Sequence, residues 1–284
     1  MKAVRILLLI FFLVTAGVYA GITIKARMEA DNVPPVITAD AEEITVSVNA
    51  TEEDLLQGVH AEDDQDGDVT KSLVVVSQMD FITKGVRKVN YAAFDSHNNV
   101  ATYTRKIVYN DYRSPRFSCD SPFHFVYSTN SANIFSDVRA DDVIDGDISS
   151  NIRIIYGELD EGGTMYPVVL QVTNSAGDMA AISINAYRED RTSYAVPTPA
   201  LSDYIVYSKV GEDLDLSQYI IGYYKSGTLY RFEDLEEPEY TMNDITRDAS
   251  GVDFYSPGEY VVTFQLHGKD EGLGQTELYW IVEE

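Results

Sequence analysis

Hydrophobic and polar residues alternate with a period of two in many short segments after residue 30. In segments 43–48, 88–93 and 102–109, apolar or aromatic side chains occupy every second position, as they do in strands that bury one face. Segment 73–76 is continuously apolar and rich in β-branched residues, which is typical of an interior strand. Segment 52–56 could form a short helical turn. The pattern predicts a chain built mainly of strands.

This strand pattern repeats at one constant offset along the chain. The turn Asp66-Gly67-Asp68 returns as Asp145-Gly146-Asp147. Other residues recur at the same distance without a gap: Ala61 with Ala140, Val89 with Val168, Ser96 with Ser175 and Asp111 with Asp190. A period of about 80 residues is too long for a solenoid unit and long enough for each copy to bury a core of its own. The repeat therefore predicts a tandem array.

A second copy and a less regular third copy follow the first. The strands expected in the second copy are 123–127, 152–156, 166–172 and 179–187. In the third copy, 256–264 matches the stretch around 84–91 and 276–282 matches the terminal strand. The Asp-Gly-Asp turn is missing there, and a Tyr- and Glu-rich insert, 222–240, stands in its place. Several short strands at this spacing predict an all-β fold of tandem Ig-like β-sandwiches.

The domain boundaries are expected just after the last strand of each copy, near Asp111 and Asp190. The predicted organisation is an N-terminal segment at 1–27, Ig-like domains at 28–111 and 112–191, and a divergent, Tyr-rich Ig-like domain at 192–284.

The N-terminal segment predicts one transmembrane helix. Residues 6–24 carry no charge and are flanked by Lys2 and Arg5 on one side and by Lys25 and Arg27 on the other. As a helix this run would be about 28 Å long, close to the hydrocarbon thickness of a bilayer. The alternative is a signal peptide cut after Ala20, because Val18-Tyr19-Ala20 resembles a small-residue cleavage site and the most apolar part, 6–14, has the length of a signal core. In either case the rest of the chain is exported, anchored at the cell membrane or secreted.

Charge and cysteine content narrow the function classes. The formal net charge is −25, and all 46 acidic residues lie after position 27. Such a surface repels nucleic acid, so nucleic-acid binding is excluded, whereas cations remain plausible partners. Cys119 is the single cysteine, so no disulfide can form within the chain and the domains must rely on apolar cores. This combination is typical of an exported bacterial surface protein.

Several motifs of the first copy resemble a known family. They are Pro34-Pro35, Ala61-Glu62-Asp63, Asp66-Gly67-Asp68-Val69-Thr70, Lys84-Gly85 and Tyr91-Ala92-Ala93-Phe94-Asp95-Ser96 followed by Asn98-Asn99. Together they resemble the bacterial Ig-like, hyalin-repeat-like domain of surface proteins and pesticidal crystal proteins, in two clear copies and a degenerate third. Asn98 departs from the glycine that the family pattern has there. The resemblance implies a sandwich used as a spacer or binding module, with no catalytic residues to transfer.

The acidic turns are the candidate metal sites. Asp63, Asp64, Asp66 and Asp68 place four carboxylates close together in one short stretch, and Asp142, Asp145 and Asp147 repeat the arrangement. Carboxylate oxygens around a tight glycine turn suit Ca²⁺. The alternative is structural, because Asp side chains also fix turns by accepting backbone N–H groups. Asp111 and Asp190 could add ligands at the junctions. No other cofactor is expected.

Tyrosines of the third copy are the candidate ligand-binding residues. Tyr223, Tyr224 and Tyr230 lie in the insert, outside the alternation of the flanking strands. They could build a platform for a sugar ring or for a protein partner. The alternative is that they pack in a β core.

Catalysis finds little support in the sequence. The four histidines are scattered, and no nucleophile elbow, zinc spacing or phosphate-binding glycine loop is found. We therefore expect a non-enzymatic, membrane-anchored extracellular stalk of Ig-like repeats with a structural, adhesive or binding role. The alternative is a secreted or cell-wall protein that recognises glycan through its third domain.

Overall fold

The computed structural model describes residues 2–28, 31–126, 135–189, 195–269 and 272–284. Helix α1 spans Lys2–Met28. The part of α1 that is long and apolar enough to cross a membrane is Val4–Lys25, and no residue of the 18-residue apolar stretch within it is buried. The rest of the described chain is all-β, and it divides into two compact units, residues 1–112 and 113–284.

The first unit contains one β-sandwich, which we call the first module. One sheet has the order β1-β3-β4, and the other has the order β2-β7-β6-β5. The strands are β1 (Val36–Ala39), β2 (Glu43–Val46), β3 (Val59–Asp63), β4 (Gly67–Asp68), β5 (Val74–Thr83), β6 (Val86–Phe94) and β7 (Val100–Tyr109). Helix α2 (Glu52–Leu56) connects the two sheets and is capped by Thr51. Strand β2 pairs with β7 in parallel, whereas the other neighbours are antiparallel.

The second unit begins with the second module, which repeats this topology. Its sheets are ordered β8-β10-β11 and β12-β13-β14-β9. The strands are β8 (Arg116–Ser118), β9 (His124–Val126), β10 (Arg139–Asp142), β11 (Gly146–Asp147), β12 (Arg153–Tyr156), β13 (Met165–Thr173) and β14 (Met179–Glu189). Strands β6 and β13 start and end at positions related by the offset of the sequence repeat, so that repeat is also a structural one.

The third module completes the second unit with sheets ordered β15-β17-β18 and β16-β21-β20-β19. The strands are β15 (Thr198–Leu201), β16 (Ile205–Lys209), β17 (Ile220–Lys225), β18 (Thr228–Arg231), β19 (Ile245–Asp248), β20 (Gly258–Gly268) and β21 (Gly272–Glu283). The insert expected at 222–240 forms the β17–β18 hairpin and the short helical turn after it. Each module thus joins a three-stranded to a four-stranded sheet, which confirms the all-β tandem sandwich fold.

Each first-module sheet contributes apolar side chains to one core. Val59 and Ala61 from β3 pack with Val89, Tyr91 and other residues of the facing sheet. The Tyr91 hydroxyl is buried and donates to the Leu55 carbonyl at 2.9 Å. Burying these alternating residues on both sheets is the main favourable contribution to the stability of the module.

In the second unit, the apolar cores of the second and third modules are continuous. Their buried residues form one cluster, in which the rings of Phe123 and Tyr279 lie 5.8 Å apart. Hydrogen bonds also cross between the modules: the Asn185 N–H donates to the Tyr279 hydroxyl at 2.7 Å, and the Tyr204 N–H donates to the Cys119 carbonyl at 2.8 Å. These two sandwiches are therefore packed together as one compact body.

Several expected positions fall outside the described residues. They include Tyr127, at the end of the strand expected at 123–127, and the second domain boundary, near Asp190 and at 191–192. Elsewhere the strand pattern is confirmed closely, as for β12, which begins at Arg153 rather than at 152.

Candidate metal centre

The Asp-Gly-Asp turn of the first module is built by backbone hydrogen bonds to aspartate side chains. Gly67 adopts a φ of 72°, which favours glycine, and pairs with Asp63 across the β3–β4 hairpin. Oδ1 of Asp63 accepts the N–H groups of Gln65 and Asp66, both at 2.9 Å. Oδ1 of Asp68 accepts the Thr70 N–H at 2.9 Å. These bonds fix the turn, as the structural alternative predicted.

The carboxylates of Asp66 and Asp68 both accept hydrogen bonds from nearby residues of the first module. Asp66 accepts the Ser96 N–H at 2.7 Å and the Ser96 hydroxyl at 3.0 Å, which ties the turn to the β6–β7 loop. Hydrogen bonds from the Thr70 side chain and backbone lower the pKa of Asp68 below its usual value. Asp64, between the two ends of the turn, is exposed. The four acids predicted as one Ca²⁺ site therefore point to different surroundings.

Asp63 instead belongs to a cluster of three buried carboxylates, which we call the acid trio: Asp31, Asp63 and Asp95. Their exposed fractions are 5%, 7% and 7%. One carboxylate oxygen of each lies within 4.8 Å of the others. Among the residues that the structure describes, this is the one group of three acidic, His or Cys side chains with metal-ligand spacing.

Three separate parts of the chain supply the trio. Asp31 precedes β1, Asp63 ends β3, and Asp95 directly follows β6. The side-chain amide of Asn99 donates to Asp95 Oδ2 at 2.6 Å and to the Asp31 carbonyl at 3.2 Å. The trio therefore lies where the chain enters the sandwich and where two of its loops turn.

The three carboxylates differ in how well they are hydrogen-bonded. Asp95 Oδ1 accepts the N–H groups of His97 and Asn99, both at 2.8 Å. Burial acts to raise the pKa of Asp95, but the bonds from Asn99 and His97 outweigh it, so this pKa lies below its usual value. Asp31 Oδ1 accepts the Val33 N–H at 2.9 Å. By contrast, Oδ2 of Asp31 and Oδ2 of Asp63 are buried with no hydrogen-bond partner among the described residues.

The corresponding end of the second module has the same turn but a different buried pair. Oδ1 of Asp142, the counterpart of Asp63, accepts the N–H groups of Ile144 and Asp145 at 2.9 and 3.0 Å. Asn174 stands at the position of Asp95, and its side-chain amide donates to Asp142 Oδ2 at 3.1 Å. Asp142 and Asn174 are 2% and 5% exposed. Here an amide supplies the hydrogen bond that Asp63 lacks.

The other two acids predicted in the second module have structural partners. Asp145 accepts the Ser175 N–H and hydroxyl, both at 2.6 Å. Asp147 accepts the N–H and hydroxyl of Ser149, and these bonds lower its pKa. The Asp-Gly-Asp turn is thus the same hydrogen-bonded device in both copies.

Asp111, expected as a junction ligand, is bonded within the first module. It accepts the Ser47 hydroxyl at 2.6 Å and the Val48 N–H at 2.8 Å, and both bonds lower its pKa. Asp190, its counterpart, lies outside the described residues.

The predicted tyrosine platform is partly a core. Tyr223 is buried, stacks on Tyr230 with ring centroids 5.2 Å apart, and meets Tyr240 edge to face. Tyr224 is half-buried on the same strand, and burial raises its pKa. Tyr230 is 36% exposed. The structure brings Tyr223 and Tyr230 together but leaves mainly the second ring accessible.

Sequence reasoning missed Asp31 and Asp95 as members of the site. Both are distant from Asp63 along the chain, one before it and one after it, so no local spacing connects them. The available signal was an aspartate just before the proline pair and another just after a predicted strand. Ends of neighbouring strands converge in a sandwich, and acidic residues there could have been grouped on that basis.

Comparisons with known proteins identify no family. No family model matches the chain, and no curated protein matches it significantly. Among solved structures, it is similar to the CBM51-2 and INT domains of Clostridium perfringens ZmpB, solved in complex with GlcNAc, with 16% identity over 52% of this chain and 26% of that chain and a TM-score of 0.22.

The chain is also similar to cadherin structures. For the protocadherin GammaB4 extracellular domain the identity is 11%, over 89% of this chain and 50% of that chain, with a TM-score of 0.20. For mouse cadherin-23 EC22-24 the identity is 14%, over 88% and 99%, with a TM-score of 0.18. The chain thus spans half or less of the first two structures it matches. Likenesses of this extent transfer no ligand to this chain.

Proposed function

We propose that this chain is a non-enzymatic, membrane-anchored protein of the bacterial cell surface, in which Ig-like sandwiches serve as a structural or adhesive stalk. The observation that carries the proposal is helix α1. Its segment Val4–Lys25 is 22 residues long, and no residue of the 18-residue apolar stretch within it is buried. An apolar helix of about 33 Å that buries nothing in its own protein suits a bilayer.

The β modules fit an exported location. All 46 acidic residues of the chain follow residue 27, no disulfide can form within the chain, and the stability of the modules rests on apolar cores. Cys119 is buried, and burial raises its thiol pKa to about 12, so this cysteine is kept protonated and away from solvent. A buried, protonated thiol of this kind is compatible with an oxidising compartment.

The side-chain contacts support a role without catalysis. The Ser96 hydroxyl lies 3.2 Å from His97 Nδ1, but both residues are on an exposed turn and that hydroxyl also donates to Asp66. A nucleophile needs its base within a concave site that excludes water. The shared core of the second and third modules instead suits a spacer that holds its shape.

Membrane fractionation tests the anchor. We expect the protein to stay in membranes after a high-salt wash, to dissolve in detergent, and to keep residues 1–20 by intact mass. The variant Ala20→Leu should behave like the wild type, because a leucine is compatible with a spanning helix. A protein released into the medium and beginning at Gly21, with Ala20→Leu blocking that cut, would contradict the anchor and favour the secreted alternative.

A further inference from the structure

The acid trio places three buried carboxylates side by side, and the described protein atoms around it do not balance their negative charge. Oδ2 of Asp31 and Oδ2 of Asp63 are buried, unpartnered and beside a third carboxylate. A buried polar group without a hydrogen bond is unfavourable, and an unpaired buried charge is more so. Among the described residues, no Lys or Arg side chain forms an ion pair with any of the three. Three neighbouring carboxylates therefore call for a positive partner from solution.

We propose that the trio binds a divalent hard cation, Ca²⁺, through carboxylate oxygens of Asp31, Asp63 and Asp95. All three ligand atoms are oxygens, which Ca²⁺ prefers, and the cluster contains no His or Cys, the ligands typical of zinc sites. Two oxygens that bind one Ca²⁺ at about 2.4 Å are at most about 4.8 Å apart. The trio meets this limit, since its ligand oxygens lie within 4.8 Å of one another.

The surrounding contacts orient the ligands before the ion arrives. Oδ1 of Asp63 accepts two backbone N–H groups and Oδ1 of Asp31 accepts one, which leaves the second oxygen of each available. The N–H groups that bond Asp95 Oδ1 and the amide of Asn99 hold the third carboxylate. Water molecules and nearby carbonyls would complete the six to eight ligands that Ca²⁺ takes.

Binding would connect three parts of the first unit. Asp31 lies in the segment between α1 and β1, whereas Asp63 and Asp95 lie at the ends of β3 and β6. With the cation present, the segment that contains Asp31 is attached to the sandwich at two loops. Without it, repulsion among the carboxylates favours release of that segment. The site thus makes the attachment of the segment that begins at Asp31 depend on calcium, whether or not the apolar helix stays in a membrane.

A calcium titration of the full-length protein in detergent micelles tests the site. After EGTA treatment, we expect Ca²⁺ in the millimolar range or below to raise the unfolding temperature of the first unit and to slow hydrogen exchange of the peptide that contains Val33. Asp63→Asn keeps the Oδ1 acceptor but removes the charge, and should weaken Ca²⁺ binding at least tenfold. Mg²⁺ should act more weakly, because three fixed carboxylates fit its strict octahedron poorly.

The matched control is Asp64→Asn, which removes the same charge at the adjacent position, on an exposed side chain. It should change Ca²⁺ affinity by less than twofold. Asp31→Asn provides a second test outside the strands, in case Asp63→Asn folds poorly. The proposal is overturned if the wild type does not respond to Ca²⁺, if Asp31→Asn and Asp63→Asn keep the response, or if Asp64→Asn loses it equally.

Discussion

The acidic ends of the first two modules have the same backbone turn, but they differ in an exchange of two side chains and in one added carboxylate. Both have an Asp-Gly-Asp turn with a left-handed glycine and a buried aspartate at its start. At two equivalent positions, the first module has Asp95 and Asn99, and the second has Asn174 and Asp178. In the second, the amide faces the buried Asp142. In the first, a carboxylate faces the buried Asp63.

This difference shows that the position of one carboxylate, together with the added Asp31, separates a self-contained turn from a candidate cation site. Both positions together carry one acid and one amide in either module. The first module adds Asp31 as a third carboxylate. At the offset that relates the two modules, Asp31 corresponds to Asn110, whose N–H donates to the Val46 carbonyl in the first unit. In the second module the buried carboxylate is therefore hydrogen-bonded by the protein itself, whereas in the first module the buried carboxylates need a cation.

The substitution Asn174→Asp should have the largest effect, because it places two carboxylates face to face in the second module. Asp142 Oδ2 loses its hydrogen bond and a second buried charge appears, so we expect the second unit to lose about 3 kcal/mol of unfolding free energy. The single tryptophan, Trp280, is buried in this unit. Denaturant unfolding followed by its fluorescence reports the change.

The control for this variant is Asn151→Asp, which adds the same charge at an exposed position of the same module. It should shift the unfolding midpoint little. Equal losses from both variants would mean that net charge, and not the Asp142–Asn174 bond, matters.

The double substitution Asp95→Asn/Asn99→Asp should give these two positions of the first module the side chains of the second module at constant net charge. The new amide can donate to Asp63 Oδ2, so in EGTA we expect the first unit to gain about 2 kcal/mol. Its response to Ca²⁺ should disappear. Calorimetry in EGTA and in Ca²⁺ measures both. A double variant that melts lower in EGTA and still responds to Ca²⁺ would show that the exchange does not explain the difference between modules.

The substitutions Asp66→Ala and Asp145→Ala should have a smaller effect that is equal in the two modules. Each removes a carboxylate that accepts both the N–H and the hydroxyl of a serine in the facing loop. We expect a loss of about 1 kcal/mol in the unit that carries the change. The Ca²⁺ response should survive Asp66→Ala. Its loss would place the ion at the Asp-Gly-Asp turn instead of at the trio.

The strands and the repeat could be predicted from the sequence because each depends on a pattern along the chain and not on which strands pair. Alternation with a period of two marks buried faces, and the constant offset of the repeat aligned β6 with β13. The sequence did not predict that an early strand of a module pairs in parallel with its last strand, as β2 does with β7 and β16 with β21. Such pairing joins residues that are far apart in the chain, and alternation does not specify a partner.

For the same reason, the sequence predicted only one residue of the candidate site, Asp63. Asp63 stands out because it lies in a dense acidic turn, but its neighbours Asp64, Asp66 and Asp68 face solvent or accept bonds from Ser96 and Thr70. A run of adjacent acids in a strand and turn sends its side chains in different directions. Asp31 is brought to Asp63 by the pairing of β1 with β3, and Asp95 by the packing of the two sheets of the sandwich, and neither is close to Asp63 in sequence.

The amino-acid sequence by itself determined the apolar helix, the alternating strands and the repeated glycine turn, because each depends on residues close together in the chain. Only the tertiary structure decided that the second and third modules share a core, and that three carboxylates from distant parts of the chain meet in a buried space. Packing two sheets brings strand ends together whatever their separation in sequence, and the chemistry of those ends depends on which side chains then face one another.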